Sequence, residues 1–102
     1  RRIVIYGAGD GGELLARELL QNRELNMTPV GFLDDDLTKE GRVIHGIQVY
    51  GPIERLDKLS TEQHIDEVLV SSTKISTERL AQLTAACQSR GVSCRKMRIA
   101  FE

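Results

Sequence analysis

The chain of 102 residues carries 14 Lys and Arg against 15 Asp and Glu, a formal net charge of −1, with 40% hydrophobic and 28% charged side chains. This is the composition of an ordinary folded domain, long enough for one domain and not for two. The charge balance excludes the basic footprint that nucleic acid demands, and the only aromatics, Tyr6, Phe32, Tyr50 and Phe101, are too few for a base-stacking platform.

The first predicted element is "IVIY", Ile3 to Tyr6, a continuous apolar run ending at a glycine, as in a strand buried on both faces. A helix is predicted over Gly11 to Asn22. Leu15, Ala16 and Leu19 share its apolar face, and Glu13, Arg17 and Gln21 face solvent. "TPVGFLD" reads as a second strand, with Pro29 near its start, where a missing N–H is tolerated. "DDDLTKEGR" is a polar loop, and "VIHGIQVYG" a turn at Gly46 leading into a short strand, Ile47 to Val49. Pro52 suits the first turn of a short helix holding Ile53, Leu56 and Leu59. "STEQ", Ser60 to Gln63, has capping-box spacing and predicts another helical turn beginning there. "IDEVLVSS" is the next buried strand. "STERLAQLTAACQSR" is an amphipathic helix with Leu80, Leu83 and Cys87 on one face and Gly91 as its C-cap. "VSCRKMRI" is the last strand. The alternation predicts an α/β fold, an open parallel sheet of about five strands with helices on both faces. No repeat, low-complexity segment or linker divides residues 1–102, and the abrupt entry into a strand leads us to expect one domain excised from a longer protein.

The connection between the first strand and helix is "GAGDGG", with Gly7, Gly9 and Gly12 in G-x-G-x-x-G spacing and Ala8, Asp10 and Gly11 between them. The spacing alone is weak; standing between a strand and a helix, it predicts a Rossmann-like phosphate loop. Gly7 permits the turn, Gly9 lets a pyrophosphate approach the backbone, and Gly12 lets helix and strand pack closely. Asp10 is unhelpful to an anion unless its side chain points away or caps the helix. About 20 residues on, at the end of the second strand, an acidic residue should meet the ribose hydroxyls. "GFLDDD" supplies Asp34, Asp35 and Asp36, of which Asp34 is favoured. A carboxylate there favours NAD over NADP, with Lys39 and Arg42 in the following loop able to soften the preference. ADP-like groups, a nucleotide sugar and coenzyme A fit such a loop as well, and the competing reading is that glycines and aspartates are turn chemistry only. Ser71, Ser72, Thr73 and Lys74, after the later strand, are placed to line the same crevice, with Lys74 toward a phosphate; otherwise Ser76 or Thr77 is simply a helix N-cap.

Nothing else carries chemistry. His45 and His64 read as turn or surface residues, and no spacing fits a metal site. Tyr6 and Tyr50 are followed four residues on by Asp10 and Glu54, so there is no Tyr-x-x-x-Lys. Cys87 and Cys94 read as reduced thiols. Neither a catalytic residue nor a metal ligand is assigned. No signal peptide and no long apolar run are read.

"IYGAGDGGELLARELL", "PVGFLDDD", "KEGRVIHGIQVYG" and "IDEVLVSS" together resemble one family along nearly the whole chain. It is the coenzyme-A-binding-like Rossmann domain of bacterial polysaccharide biosynthesis proteins. In that family the domain precedes the catalytic domain of membrane-anchored nucleoside-diphosphate-sugar dehydratases and epimerases, or is attached to polyprenyl-phosphate sugar-1-phosphate transferases. The ending "CRKMRIAFE" is closer to the transferase-attached version. The resemblance implies that Gly7, Gly9 and Gly12 form the phosphate loop and Asp34 the ribose contact, with Gly41, Arg42, His45 and Gly46 as a family signature. It implies an accessory domain binding NAD, a nucleotide sugar or coenzyme A, whose partner is the parent's catalytic domain. The implied location is the cytoplasm, or the cytoplasmic face of the inner membrane through the parent. Two alternatives stand beside it: the cofactor-binding part of an NAD-dependent sugar-nucleotide enzyme, and an oligomerisation module, pairing as a homodimer through a helix such as Pro52 to Leu59, with a vestigial pocket.

Overall fold

Apolar runs make the central strands and amphipathic stretches the longer helices in the computed structural model, which describes residues 1–97 and 99. Phe101 and the end of the predicted closing segment lie outside the described residues. In chain order the elements are β1 (Arg2–Tyr6), α1 (Asp10–Gln21), β2 (Thr28–Leu33), β3 (Val43–Ile44), β4 (Ile47–Gly51), α2 (Leu56–Glu62), β5 (Glu67–Val70), α3 (Thr77–Gln88) and β6 (Ser93–Lys96). The sheet order is β3-β4-β2-β1-β5-β6. All neighbours are parallel except β3, which pairs antiparallel with β4. The expected open parallel sheet is present, Rossmann-like in its strand order.

Two elements differ from the sequence reading. The sixth strand, β3, is only Val43 and Ile44, too short to register as an apolar run. It exists because His45 and Gly46, with φ of 53° and 80°, make a two-residue turn whose twist matches that of paired strands. "STEQ" opens no new helical turn: Ser60 and Thr61 lie within α2 and donate their hydroxyls to the Asp57 carbonyl at 3.0 and 2.9 Å. A capping box needs free N–H groups, and α2 is already running when it reaches Ser60.

Side chains of β1 alternate between two cores. Val4 and Tyr6 pack with Leu56 and Leu59 of α2 and Leu83 and Cys87 of α3. Ile3 and Ile5 pack with Leu15, Ala16 and Leu19 of α1. Helices therefore cover both faces, and each fully buried Leu, Ile or Phe contributes about 1.5–3 kcal/mol of transfer free energy. β2 and β5 flank β1 on opposite sides, so strand order reverses there. Loops leaving the carboxyl ends of β1 and β5 open a crevice at such a point.

Candidate functional site

The three spaced glycines differ in what makes them glycine. Gly7 has φ +112°, and a Cβ there would stand 2.7 Å from the Ser71 hydroxyl oxygen. A Cβ on Gly12 would overlap the Gly7 carbonyl oxygen, so α1 starts as close to β1 as backbones allow. Gly9 is the N-cap of α1 with φ −89°, a conformation any residue adopts, and its missing Cβ faces only the Lys39 ammonium at 3.6 Å. Packing requires the first two glycines, Gly7 and Gly12, and leaves space for a side chain at Gly9. Behind that space the first-turn N–H groups of α1, at Asp10, Gly11 and Gly12, have no intrahelical acceptors. With the helix dipole they favour an anion by about 0.3–1 kcal/mol. Asp10 is exposed, and the N-terminus of α1 has no side-chain cap.

The two aspartates at the end of β2 go to opposite sides, as successive residues of an extended chain do. Asp34 turns to the glycine loop. One carboxylate oxygen accepts from the Ala8 N–H at 2.8 Å, the other from the Asp36 N–H at 2.8 Å, and the Lys39 ammonium lies 3.6 Å away. Asp35 turns to α3. Its carboxylate accepts from the Tyr6 hydroxyl, from the Arg79 guanidinium and from the Ile53 N–H. Burial pushes the Asp35 carboxyl up, but the bonds from Arg79 and Tyr6 outweigh it and hold the group below its ordinary range. Burial and the Asp35 carboxylate push the Tyr6 phenol well up. Arg79 also pairs with Glu54 at 2.9 Å. This network anchors the end of β2 to α3, and Asp35 is not brought to the glycine loop.

Ser71 and Ser72 stand beneath the loop. The buried Ser71 hydroxyl donates to the carbonyls of Tyr6 and Gly7, at 3.0 and 3.3 Å. The Ser72 hydroxyl accepts from the Lys74 N–H at 3.1 Å, and the Lys74 side chain is exposed. The bland alternative for this segment is present too: Ser76 caps α3, accepting from the Arg79 N–H at 3.1 Å.

A cleft of about 440 Å³ opens in front of Gly9, lined by Ala8, Gly9, Asp10 and Glu13 on one side and by Lys39, Arg42, Val43 and Ile44 on the other. Ser71, Ser72 and Lys74 do not line it. Its volume lies within the range of small-molecule sites. Its lining joins the N-terminus of α1 and the cationic side chains of Lys39 and Arg42 to the hydrocarbon of Val43 and Ile44. Val43 is 65% exposed. Glu13 reaches across to His45 at 3.5 Å. Lys39, Arg42 and the β3 hairpin are what sequence reasoning placed only in a following loop. The one available signal was the "GRVIHG" signature, since folding of that turn against α1 leaves no periodicity to read.

Comparison with known proteins bears on the fold and the family. Residues 1–97 match the family model described as a CoA-binding domain. The "Probable polysaccharide biosynthesis protein EpsC" of Bacillus subtilis (strain 168) is 35% identical over 96 residues, 94% of this chain. The capsular polysaccharide biosynthesis protein CapD of Staphylococcus aureus is 32% identical over 95 residues, 92% of this chain. The chain spans 16% of the length of each. Among solved structures, UDP-D-quinovosamine 4-dehydrogenase from Vibrio fischeri superposes with a TM-score of 0.83 at 29% identity, over 95% of this chain and 77% of that one. RSP in complex with β-NADH superposes with a TM-score of 0.75 at 16% identity, over 99% of this chain and 48% of that one, a likeness of fold alone. Matched over residues 1–97, the chain belongs to the family of CoA-binding domains.

Proposed function

We propose that this chain is an accessory domain that binds a nucleotide or nucleotide sugar within a larger polysaccharide biosynthesis protein and leaves the chemistry to the parent's catalytic domain. The observation that carries the reading is the space at Gly9. A backbone position free to hold any residue holds none, directly in front of unpaired helix N–H groups and the Lys39 ammonium. A phosphate placed there meets backbone donors, helix dipole and Lys39 together. From that point the cleft runs to Val43 and Ile44, which offer hydrocarbon to a base or sugar face. The curated relatives are named for polysaccharide biosynthesis, and a structure of like fold carries β-NADH; both support the choice of ligand class.

The test is thermal unfolding of the chain with NAD, NADP, UDP-sugars, coenzyme A or buffer. A ligand held at 100 times its dissociation constant stabilises the native state by about 2.7 kcal/mol, about ten degrees for a domain this size. An unmoved transition with every ligand at millimolar concentration would remove the reading.

A further inference from the structure

The geometry points to Cys94 and Cys87 as a dithiol that a hydroperoxide oxidises to an intramolecular disulfide, Cys94 being the sulfur that meets the oxidant and Cys87 the one that closes the bridge. They are the only cysteines of the chain. Neither lines the cleft at Gly9, so the inference stands apart from the nucleotide reading.

A tight connection brings the two together. α3 ends at Gln88, the chain turns through Gly91 with φ +67°, and the Val92 N–H donates back to the Cys87 carbonyl at 2.9 Å. β6 then runs parallel to β5, with Cys94 beside Val68. Side chains of paired residues share one face of a sheet, and Val68 is buried in the core that holds Leu83 and Cys87 of α3. Cys94 packs against that same core, so the two thiols meet between α3 and the edge strand. The contact with Cys87 lowers the Cys94 thiol from its ordinary value, and the same contact together with burial raises Cys87.

Exposure orders the chemistry. Cys87 is 0% exposed and Cys94 half-buried, so an oxidant reaches Cys94, and Cys94 is also where the nucleophilic thiolate forms. With hydrogen peroxide, the Cys94 sulfur attacks one oxygen and the O–O bond breaks. The other oxygen leaves as hydroxide, takes a proton to become water, and Cys94 is left as a sulfenic acid. The Cys87 sulfur then displaces that hydroxyl: the S–S bond forms, the S–O bond breaks, and the hydroxide carries away the Cys87 proton as a second water. The two thiols lose two electrons and the peroxide gains them.

Treating the reduced 102-residue chain with a small excess of hydrogen peroxide, then measuring intact mass and mapping tryptic peptides, tests the inference. The expected result is a loss of two hydrogens, with peptides 80–90 and 91–95 joined and released again by a dithiol reductant. The bridge closes a short loop in the unfolded chain and should shift the unfolding midpoint upward. In Cys87→Ala, Cys94 should stop at the sulfenic acid and be captured by a 1,3-diketone probe, whereas in Cys94→Ala peroxide should leave Cys87 unmodified. The mass of the unaltered chain decides the matter even where a variant fails to fold. No loss of two hydrogens, oxidation of Cys94 to the sulfinic acid without a bridge, a bridge between two chains, or a bridge that lowers the midpoint overturns the inference. Rapid oxidation of Cys87 in folded Cys94→Ala overturns the order of the two sulfurs.

Discussion

Replacing Gly9 with Val separates the loop's role in binding from its role in folding. The residue has φ −89° and ψ −161°, which suit a β-branched side chain. Its Cβ would meet only the tip of Lys39, at 3.6 Å, a flexible group that can move aside. Val is a poorer N-cap than Gly, so stability without ligand should fall by about 0.5–1 kcal/mol, and the readout is the ligand-induced shift measured against each variant's own unliganded midpoint. Two methyl groups would, however, occupy the space where a phosphate must approach the first-turn N–H groups of α1. If affinity falls a hundredfold, a ligand that supplied about 2.7 kcal/mol at 100 times its dissociation constant supplies about 0.4 kcal/mol at the same concentration. In a thermal-shift assay the ligand-induced rise, about ten degrees in the parent chain, shrinks to about two. Gly12→Ala serves as the contrast. Its Cβ would overlap the Gly7 carbonyl oxygen, so it should lower the midpoint of the chain with or without ligand. Full retention of the ligand shift in Gly9→Val would refute the assignment of this space to a phosphate.

Other substitutions probe the surroundings. Asp34→Ala removes the acceptor of the Ala8 N–H and should cost about 1–3 kcal/mol as well as weaken nucleotide binding; urea denaturation and calorimetry with unchanged results would deny it both roles. Arg79→Gln breaks the contacts to Asp35 and Glu54 and should cost about 1–2 kcal/mol at neutral pH, limited by the partial exposure of the pair. Because the Asp35 carboxyl is held below its ordinary range in the folded state, its contribution is fully present above the unfolded value near 3.8. It is lost as pH falls through the folded value. The stability gap between parent and Arg79→Gln should accordingly narrow below pH 4, and a constant gap from pH 7 to pH 2 would contradict the network. Cys94 is half-buried and its thiol is lowered by the neighbouring Cys87, whereas Cys87 is fully buried and its thiol raised. A thiol reagent at pH 8 should label Cys94 first, as peptide mapping after brief exposure would reveal.

The parts legible in the sequence are those where local sterics leave one solution. Gly7 and Gly12 sit where a strand and a helix meet at backbone contact, and that requirement is written as glycine spacing. The runs at Ile3 to Tyr6 and Val68 to Val70 are apolar on both sides because helices cover both faces of the sheet. Other features depend on distant parts of the chain. Asp34 and Asp35 are alike in sequence, and only their opposite directions off β2 send one to the glycine loop and the other to Arg79, 44 residues later. Lys39 and Arg42 read as cations of the following loop, able to soften the preference for NAD, and only the folding of their segment brings both to the lining of the cleft at Gly9. Ser60 and Thr61 mimic a helix start because the same hydroxyl chemistry that caps a helix also bonds back to a carbonyl within one.

The central claim is that a nucleotide binds between the glycine loop and the β3 hairpin, and backbone amide NMR of the ¹⁵N-labelled chain tests it most directly. Titration with the tightest ligand of the nucleotide panel should move the amides of Ala8 to Gly12 together with those of Lys39 to Ile44, leaving Leu83 and Cys87 in α3 still. Saturating ligand that leaves the amides of Gly9 and Arg42 in place, or moves only residues remote from this cleft, would contradict the account.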